Sequence, residues 1–254
     1  MILHQVDSEI LIQSILTVLS AITGAVIIFM VNLNHEKLCA LISFSAGGLL
    51  GAALFTLIPE SLHSLNTAEV ILGIFSGYLL FWLLTKYYSH VCPACSASHF
   101  DERTTEKFSE IARALLIALS IHSFLDGVAV STRGVVENIS NTSVFIAILT
   151  HKLPEGLALA SIMFSANYSR NKILIYVFAV EMVTVIGAVT GSILLKSYVS
   201  EILLSAVMSH IAGGFIFLAS HAILGEMLKN HTKLVISTFS FGLILILAIS
   251  KIVA

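Results

Sequence analysis

The chain has 254 residues, of which 57% are hydrophobic and only 11% charged, with a mean hydropathy of +0.98 and a formal net charge of −2. An ordinary soluble domain carries about 25% charged residues, so a soluble helical core is excluded and an all-α polytopic membrane protein is expected. The near-zero charge without a basic cluster argues against nucleic acid as a partner.

A membrane span needs ~20 mostly apolar residues. Turn and charge signals divide the chain into eight such segments, predicted at Ile10–Val31, Leu38–Ile58, Val70–Tyr87, Ala112–Thr132, Val144–Ala166, Ile173–Leu195, Ile202–Leu224 and Leu234–Ser250. The period-two alternation of a membrane barrel is absent. The first nine residues lack a basic n-region and a small-residue cleavage site, so the first segment reads as a retained helix.

Basic residues set the orientation. With the N-terminus outside, the inner side holds Lys37, Lys86, Arg103, Lys107, Arg113, Arg170, Lys172, Lys229 and Lys233, and the outer side only Arg133, Lys196 and Lys251. Both termini are therefore expected to be extracytoplasmic, and the polar loop 88–110 cytoplasmic.

Segments two and seven both carry Ala-Gly-Gly followed by a distant Glu, at Ala46-Gly47-Gly48 with Glu60 and at Ala212-Gly213-Gly214 with Glu226. Segments four and five share a second device. His122-Ser123-Phe124-Leu125-Asp126-Gly127 repeats, 29 positions later, as His151-Lys152-Leu153-Pro154-Glu155-Gly156. Under the expected topology the members of each pair run in opposite directions, which points to a 3+2+3 inverted-repeat bundle. Small residues are also common wherever membrane helices pack closely, so the Gly pairs alone would not establish it.

A His and a carboxylate four apart share one helix face. An ionisable group at membrane depth is by default functional, although a single His or Asp can be a satisfied packing residue. Two His/carboxylate pairs on adjacent antiparallel helices are harder to explain that way. His122, Asp126, His151 and Glu155 are the expected metal ligands: two neutral imidazoles and two carboxylates, which one divalent cation neutralises. Pro154 removes the N–H that would bond the Thr150 carbonyl, which gives either a packing kink or a carbonyl near the cation path. Gly127 and Gly156 allow close helix approach.

At these residues the chain resembles the ZIP (Zrt/Irt-like) family of divalent metal transporters. The family's helix four carries a His-Asn/Ser-x-x-acid-Gly motif and helix five a His/Gln-x-x-Pro-Glu-Gly motif, matched by His122–Gly127 and His151–Gly156. Helix two, from Phe44-Ser45-Ala46-Gly47-Gly48 to Leu57-Ile58-Pro59-Glu60, and helix seven through Ala212-Gly213-Gly214-Phe215 are similar as well. The resemblance implies eight helices in three-plus-two-plus-three order and movement of zinc, or of iron, manganese or cadmium, toward the cytoplasm. The metal is then substrate, and no cofactor is expected.

Two departures stand out. Leu125 occupies a position that is proline in some members, so helix four is expected to be less broken. Lys152 lies where some members place a second carboxylate for a second metal. Its ammonium has no lone pair and repels a cation, so a single transport site is expected, with Glu181 of helix six as the partner of Lys152 and Ser123 beside them.

Elsewhere, His90, Cys92, Cys95 and His99 in the 88–110 loop have zinc-ligand chemistry, but one CxxC is a weak signal. Cys39 is expected to be buried packing. His63 could collect metal at the entrance, and His210 and His221 could line a path, although each alone is more commonly a satisfied helix or loop histidine. The sequons at Asn138 and Asn141 matter only in a secretory compartment.

Among competing functions, an intramembrane zinc hydrolase lacks its HExxH pair, since His35-Glu36 is followed by Lys37, Leu38 and Cys39. The segment Gly191–Ser197 lacks the glycine before lysine of a phosphate loop. A metal-selective channel through the same ligands would read alike. The expected partners are the divalent ion and the bilayer, with a homodimer allowed. The short connections point to a prokaryotic cytoplasmic membrane.

Overall fold

A computed structural model describes residues 8–30, 35–88, 102–131, 141–195, 200–223 and 232–253. Among these residues the regular structure is all helical, with no strand. In chain order the helices are α1 (Ser8–Met30), α2 (His35–Ala52), α3 (Thr67–Tyr88), α4 (Glu102–Ser131), α5 (Asn141–Ser165), α6 (Arg170–Thr190), α7 (Glu201–Ile223) and α8 (Thr232–Val253). Each predicted segment falls on one of them.

The largest boundary difference is at α4, which begins at Glu102 rather than Ala112. Residues 102–110, expected to close the polar loop, are helical instead. Apolarity marks only what lies in hydrocarbon, and Glu-Arg-Thr-Thr-Glu-Lys contains no Gly or Pro to stop a helix from starting earlier.

Six helical stretches are long and apolar enough to cross a bilayer: Ser8–Met30, Cys39–Ser61, Thr67–Leu84, Arg170–Ile193, Glu201–Ser220 and Thr232–Lys251. The protein is an integral, multi-pass membrane protein. α4 offers a shorter apolar stretch, Leu115–Ser131. α4 and α5 are also the helices that carry His122, Asp126, His151, Lys152 and Glu155, and these residues interrupt their apolarity.

Local chemistry explains several helix ends. α3 begins with a reciprocal cap: the Glu69 N–H donates to Asn66 Oδ1 at 3.0 Å, and the Asn66 N–H donates to the Glu69 carboxylate at 2.9 Å. α5 ends where Asn167 takes φ 60°, a conformation Asn tolerates. The Tyr168 N–H then reaches back to the Met163 carbonyl at 3.1 Å and the Asn167 N–H to Phe164 at 3.0 Å. After Ala52, α2 widens into a π-helical turn, Ala53–Leu57, and closes with the turn Ile58–Ser61. Pro59 cannot sit in a tight helix without crowding the carbonyl one turn earlier. The wider turn, with Ile58 N–H donating to the Ala53 carbonyl, accommodates it.

The helices pack in recurring pairs. α2 lies along α8, α1 along α5, α3 along α7 and α4 along α6, with α1 also against α6, α2 against α7 and α4 against α5. Glycines make the closest crossings. A methyl on Gly24 would strike the Leu153 carbonyl, and one on Gly156 the Ala21 carbonyl, which locks α1 to α5. Gly187 against the Phe124 carbonyl and Gly127 against the Thr184 carbonyl do the same for α6 and α4. Gly47 and Gly242 join α2 to α8, and Gly213 and Gly77 join α7 to α3, again by methyl positions already held by backbone carbonyls. Pro154 leaves α5 continuous, and its ring lies against Gly48 of α2.

Two apolar clusters fill the interior. One gathers Leu49, Leu57, Ile148, Met208, Ile211 and Phe215 from α2, α5 and α7. The other gathers Ile28, Leu119, Leu157, Met163, Ile173 and Val177, all from α1, α4, α5 and α6. Cys39 is buried, as its expected packing role requires.

A candidate metal site between α4, α5 and α6

Helical spacing puts His122, Ser123 and Asp126 on one face of α4 and His151, Lys152 and Glu155 on one face of α5. The Gly127 and Gly156 crossings draw α6 and α1 against these helices. One ligand atom from each of His122, Asp126, His151 and Glu155 lies within 4.8 Å of the others. All four are buried, between 0% and 3% exposed. It is the single group of three or more His, Cys, Asp or Glu with metal-binding spacing among the described residues.

Asp126 is the hub. Its Oδ2 lies 3.4 Å from His122 Nε2 and 3.4 Å from His151 Nε2. The two imidazole centroids are 5.7 Å apart. Glu155 Oε1 is buried without a hydrogen-bond partner, so its lone pairs are available to a cation.

Lys152 is the largest fully buried side chain described. Its ammonium is 2.9 Å from Asp126 Oδ2, 2.9 Å from Glu155 Oε2 and 3.1 Å from Glu181 Oε2, and it donates to Ser123 Oγ at 2.9 Å. Four oxygens around one nitrogen resemble the shell of a bound cation, and the third helix, α6, contributes Glu181. Three carboxylates and one ammonium leave a formal charge of −2, which a single divalent ion cancels. A buried charge cluster is tolerable only when it is paired in this way.

The remaining candidates are placed as follows. His210 Nδ1 meets Ser76 Oγ at 2.8 Å across α3 and α7, a satisfied packing contact. His63 is exposed in the turn after α2. His221 falls in the last turn of α7, but its side chain, like all of His90, Cys92, Cys95 and His99, lies outside the described residues.

One neighbour escaped the sequence reading. Phe215 of α7, fully buried, packs its ring 4.5 Å from the His122 ring and 5.1 Å from the His151 ring, centroid to centroid. The available signal was its position directly after Ala-Gly-Gly in the helix that echoes α2; an apolar residue in an apolar segment gives no other.

Known proteins place this geometry in context. The zinc transporter ZIP9 of Xenopus tropicalis is 26% identical over 87% of this chain and 85% of its own length. The zinc transporter ZupT of Chlorobium chlorochromatii is 26% identical over 73% of this chain and 75% of its own. The zinc transporter YKE4 of Saccharomyces cerevisiae is 28% identical over 76% of this chain, which spans 62% of that protein's length. The family model described as the ZIP zinc transporter matches residues 95–250, a stretch that contains the whole His/carboxylate cluster, and the chain therefore belongs to the ZIP zinc transporter family.

Proposed function

We propose that this protein carries divalent metal, zinc foremost, across the membrane into the cytoplasm, with His122, Asp126, His151 and Glu155 as its ligands in transit. The observation that carries this reading is the convergence of those four residues at one buried point in a member of a transporter, not an enzyme, family. Two imidazoles and two carboxylates suit zinc, while iron, manganese and cadmium are accepted by the same donors. Ser123, Lys152 and Glu181 complete the surroundings, and Lys152 takes the place of a second metal. His221 and the loop residues His90, Cys92, Cys95 and His99 are assigned to the cytoplasmic end of the path, where released metal needs an acceptor.

The helices form eight spans in a 3+2+3 inverted repeat with both termini outside. The recurring crossings support this: α1 on α5 is matched by α6 on α4, and α2 on α8 by α7 on α3, each through paired glycines. Two inverted halves around a central pair suit alternating access. The burial of all four ligands favours a carrier over a continuous pore. A prokaryotic cytoplasmic membrane fits the short connections, and a homodimer is compatible with the lipid-facing apolar surfaces of α3 and α8.

The test is zinc entry into liposomes holding a zinc-sensitive dye. Saturable entry that Glu155→Ala abolishes is the expected result; entry unchanged in that variant would sink the assignment of the site. With Cys92 and Cys95 replaced by serine to silence the loop, titration calorimetry is expected to give one zinc per chain. Two metals sharing Asp126 and Glu155 in a zinc-bound crystal structure would overturn the single-site reading.

A further inference from the structure

His151 lacks the support that a metal-binding imidazole ordinarily has. Such a ring is usually held by a hydrogen bond from the nitrogen that does not face the metal, and this fixes its orientation. Here His151 Nε2 points at Asp126, and its other nitrogen, Nδ1, is buried without a hydrogen-bond partner. On His122 it is Nε2, the nitrogen that faces the site, which has no hydrogen-bond partner, with Asp126 Oδ2 at 3.4 Å, so that atom is open to a cation.

What does touch both rings is Phe215. It stands nearly edge-on to His151, with the planes at 73°, and is tilted at 56° to His122. Both centroid distances lie in the range where aromatic rings attract. Phe215 itself is fixed from behind. The adjacent Gly213 packs on the Ile74 carbonyl and Gly214 on the Phe81 ring, so α7 is held tightly against α3. α7 contributes no residue to the His/carboxylate group.

We propose that Phe215 is the positioning residue for the His151 imidazole, taking by ring packing the role that a hydrogen bond plays elsewhere, and that, packed on the His122 ring as well, it sets the preference for zinc over harder cations. The inference rests on the ligand assignment above. Its chemistry follows from the donor types. Imidazole nitrogen favours zinc, whereas manganese is well served by carboxylate oxygen. Loosening the imidazoles weakens zinc more than manganese. It also ties the quality of the site to the position of a helix outside it: any movement that separates α7 from α4 and α5 withdraws the ring and releases the imidazoles.

The test uses the full chain in detergent with zinc alone or manganese alone. Calorimetry gives each affinity, and zinc-edge X-ray absorption counts the bound imidazoles. Phe215→Leu keeps apolar bulk without the ring, Phe215→Tyr keeps the ring, and His151→Ala reports on the site itself. The expected result for Phe215→Leu is a loss of zinc affinity of about tenfold or more, in the range for removal of a ligand's support. Manganese should change by less than about threefold, and the imidazole count should fall below two. Phe215→Tyr should keep the wild-type count. If Phe215→Leu does not yield folded protein, Phe215→Met is read by the same criteria. Two imidazoles and an unchanged zinc-to-manganese ratio in the Leu or Met variant would overturn the proposal while leaving the site intact. Zinc binding unaffected by His151→Ala would overturn the ligand assignment and the inference together.

Discussion

Lys152 concentrates the energetics of the centre in one side chain. Its ammonium faces three carboxylates within 3.1 Å and is fully buried. Removing one partner of a buried ion pair strands the others and costs about 3–5 kcal/mol. Lys152→Met is therefore expected to lower the melting temperature of the metal-free protein sharply, and saturating zinc should restore more stability to it than to the wild type. Thermal unfolding in detergent with and without zinc checks this; equal zinc-induced shifts in the two proteins would contradict it. Glu181 was legible in the sequence as a partner of Lys152 because opposite charges in apolar helices seek each other; that Asp126 and Glu155 lie still closer to the same ammonium was not. Phe215 was legible only as the residue after Ala-Gly-Gly, since a phenylalanine in an apolar segment carries no mark of the ring it touches.

At the scale of the helices, close crossing is the dominant device. The sequence showed where glycines cluster but not which backbone each one meets. Gly24 and Gly187 occupy matching places, one against the Leu153 carbonyl and the other against the Phe124 carbonyl. Alanine at either collides with backbone, which cannot move aside as a flexible side chain can. Gly24→Ala and Gly187→Ala are expected to damage folded yield and zinc uptake to a similar degree, because each separates a helix from one that carries ligands. By contrast, Asn66→Ala removes only the cap of α3 and should cost about 1 kcal/mol with transport retained. Yield and liposome uptake for the three variants decide it; a mild Gly187→Ala beside a severe Gly24→Ala would argue against equivalent halves. The π turn at Ala53–Leu57 was not foreseen. Pro59 announced a disturbance, but whether a helix kinks, breaks or widens depends on what packs around it.

For the whole molecule, cysteine labelling reads the sidedness of the helices. In a background with Cys39, Cys92 and Cys95 replaced by serine, His63→Cys in the turn after α2 should react with a membrane-impermeant maleimide on intact cells. Ser169→Cys, in the connection between α5 and α6, should react only after permeabilisation. The reverse pattern would invert the topology and with it the proposed direction of transport. Both positions are exposed, so access alone separates the outcomes.

Composition and the His-x-x-x-acid-Gly repeat determined, without any coordinates, that this is a helical membrane protein whose His and carboxylate residues gather in two central segments. They could do so because a bilayer punishes every unpaired charge, so the few ionisable residues placed in apolar segments mark where function lies. Helix positions followed for the same reason, since the thickness of the hydrocarbon sets the length of each apolar run. Only the tertiary structure decided how the groups meet: that Asp126 is shared by both imidazoles and Lys152, that Glu181 closes the cage from α6, and that Phe215 reaches the histidines from α7. Those contacts depend on the angle and depth at which helices distant in sequence cross. Packing of backbone against glycine sets both, and no local periodicity records them.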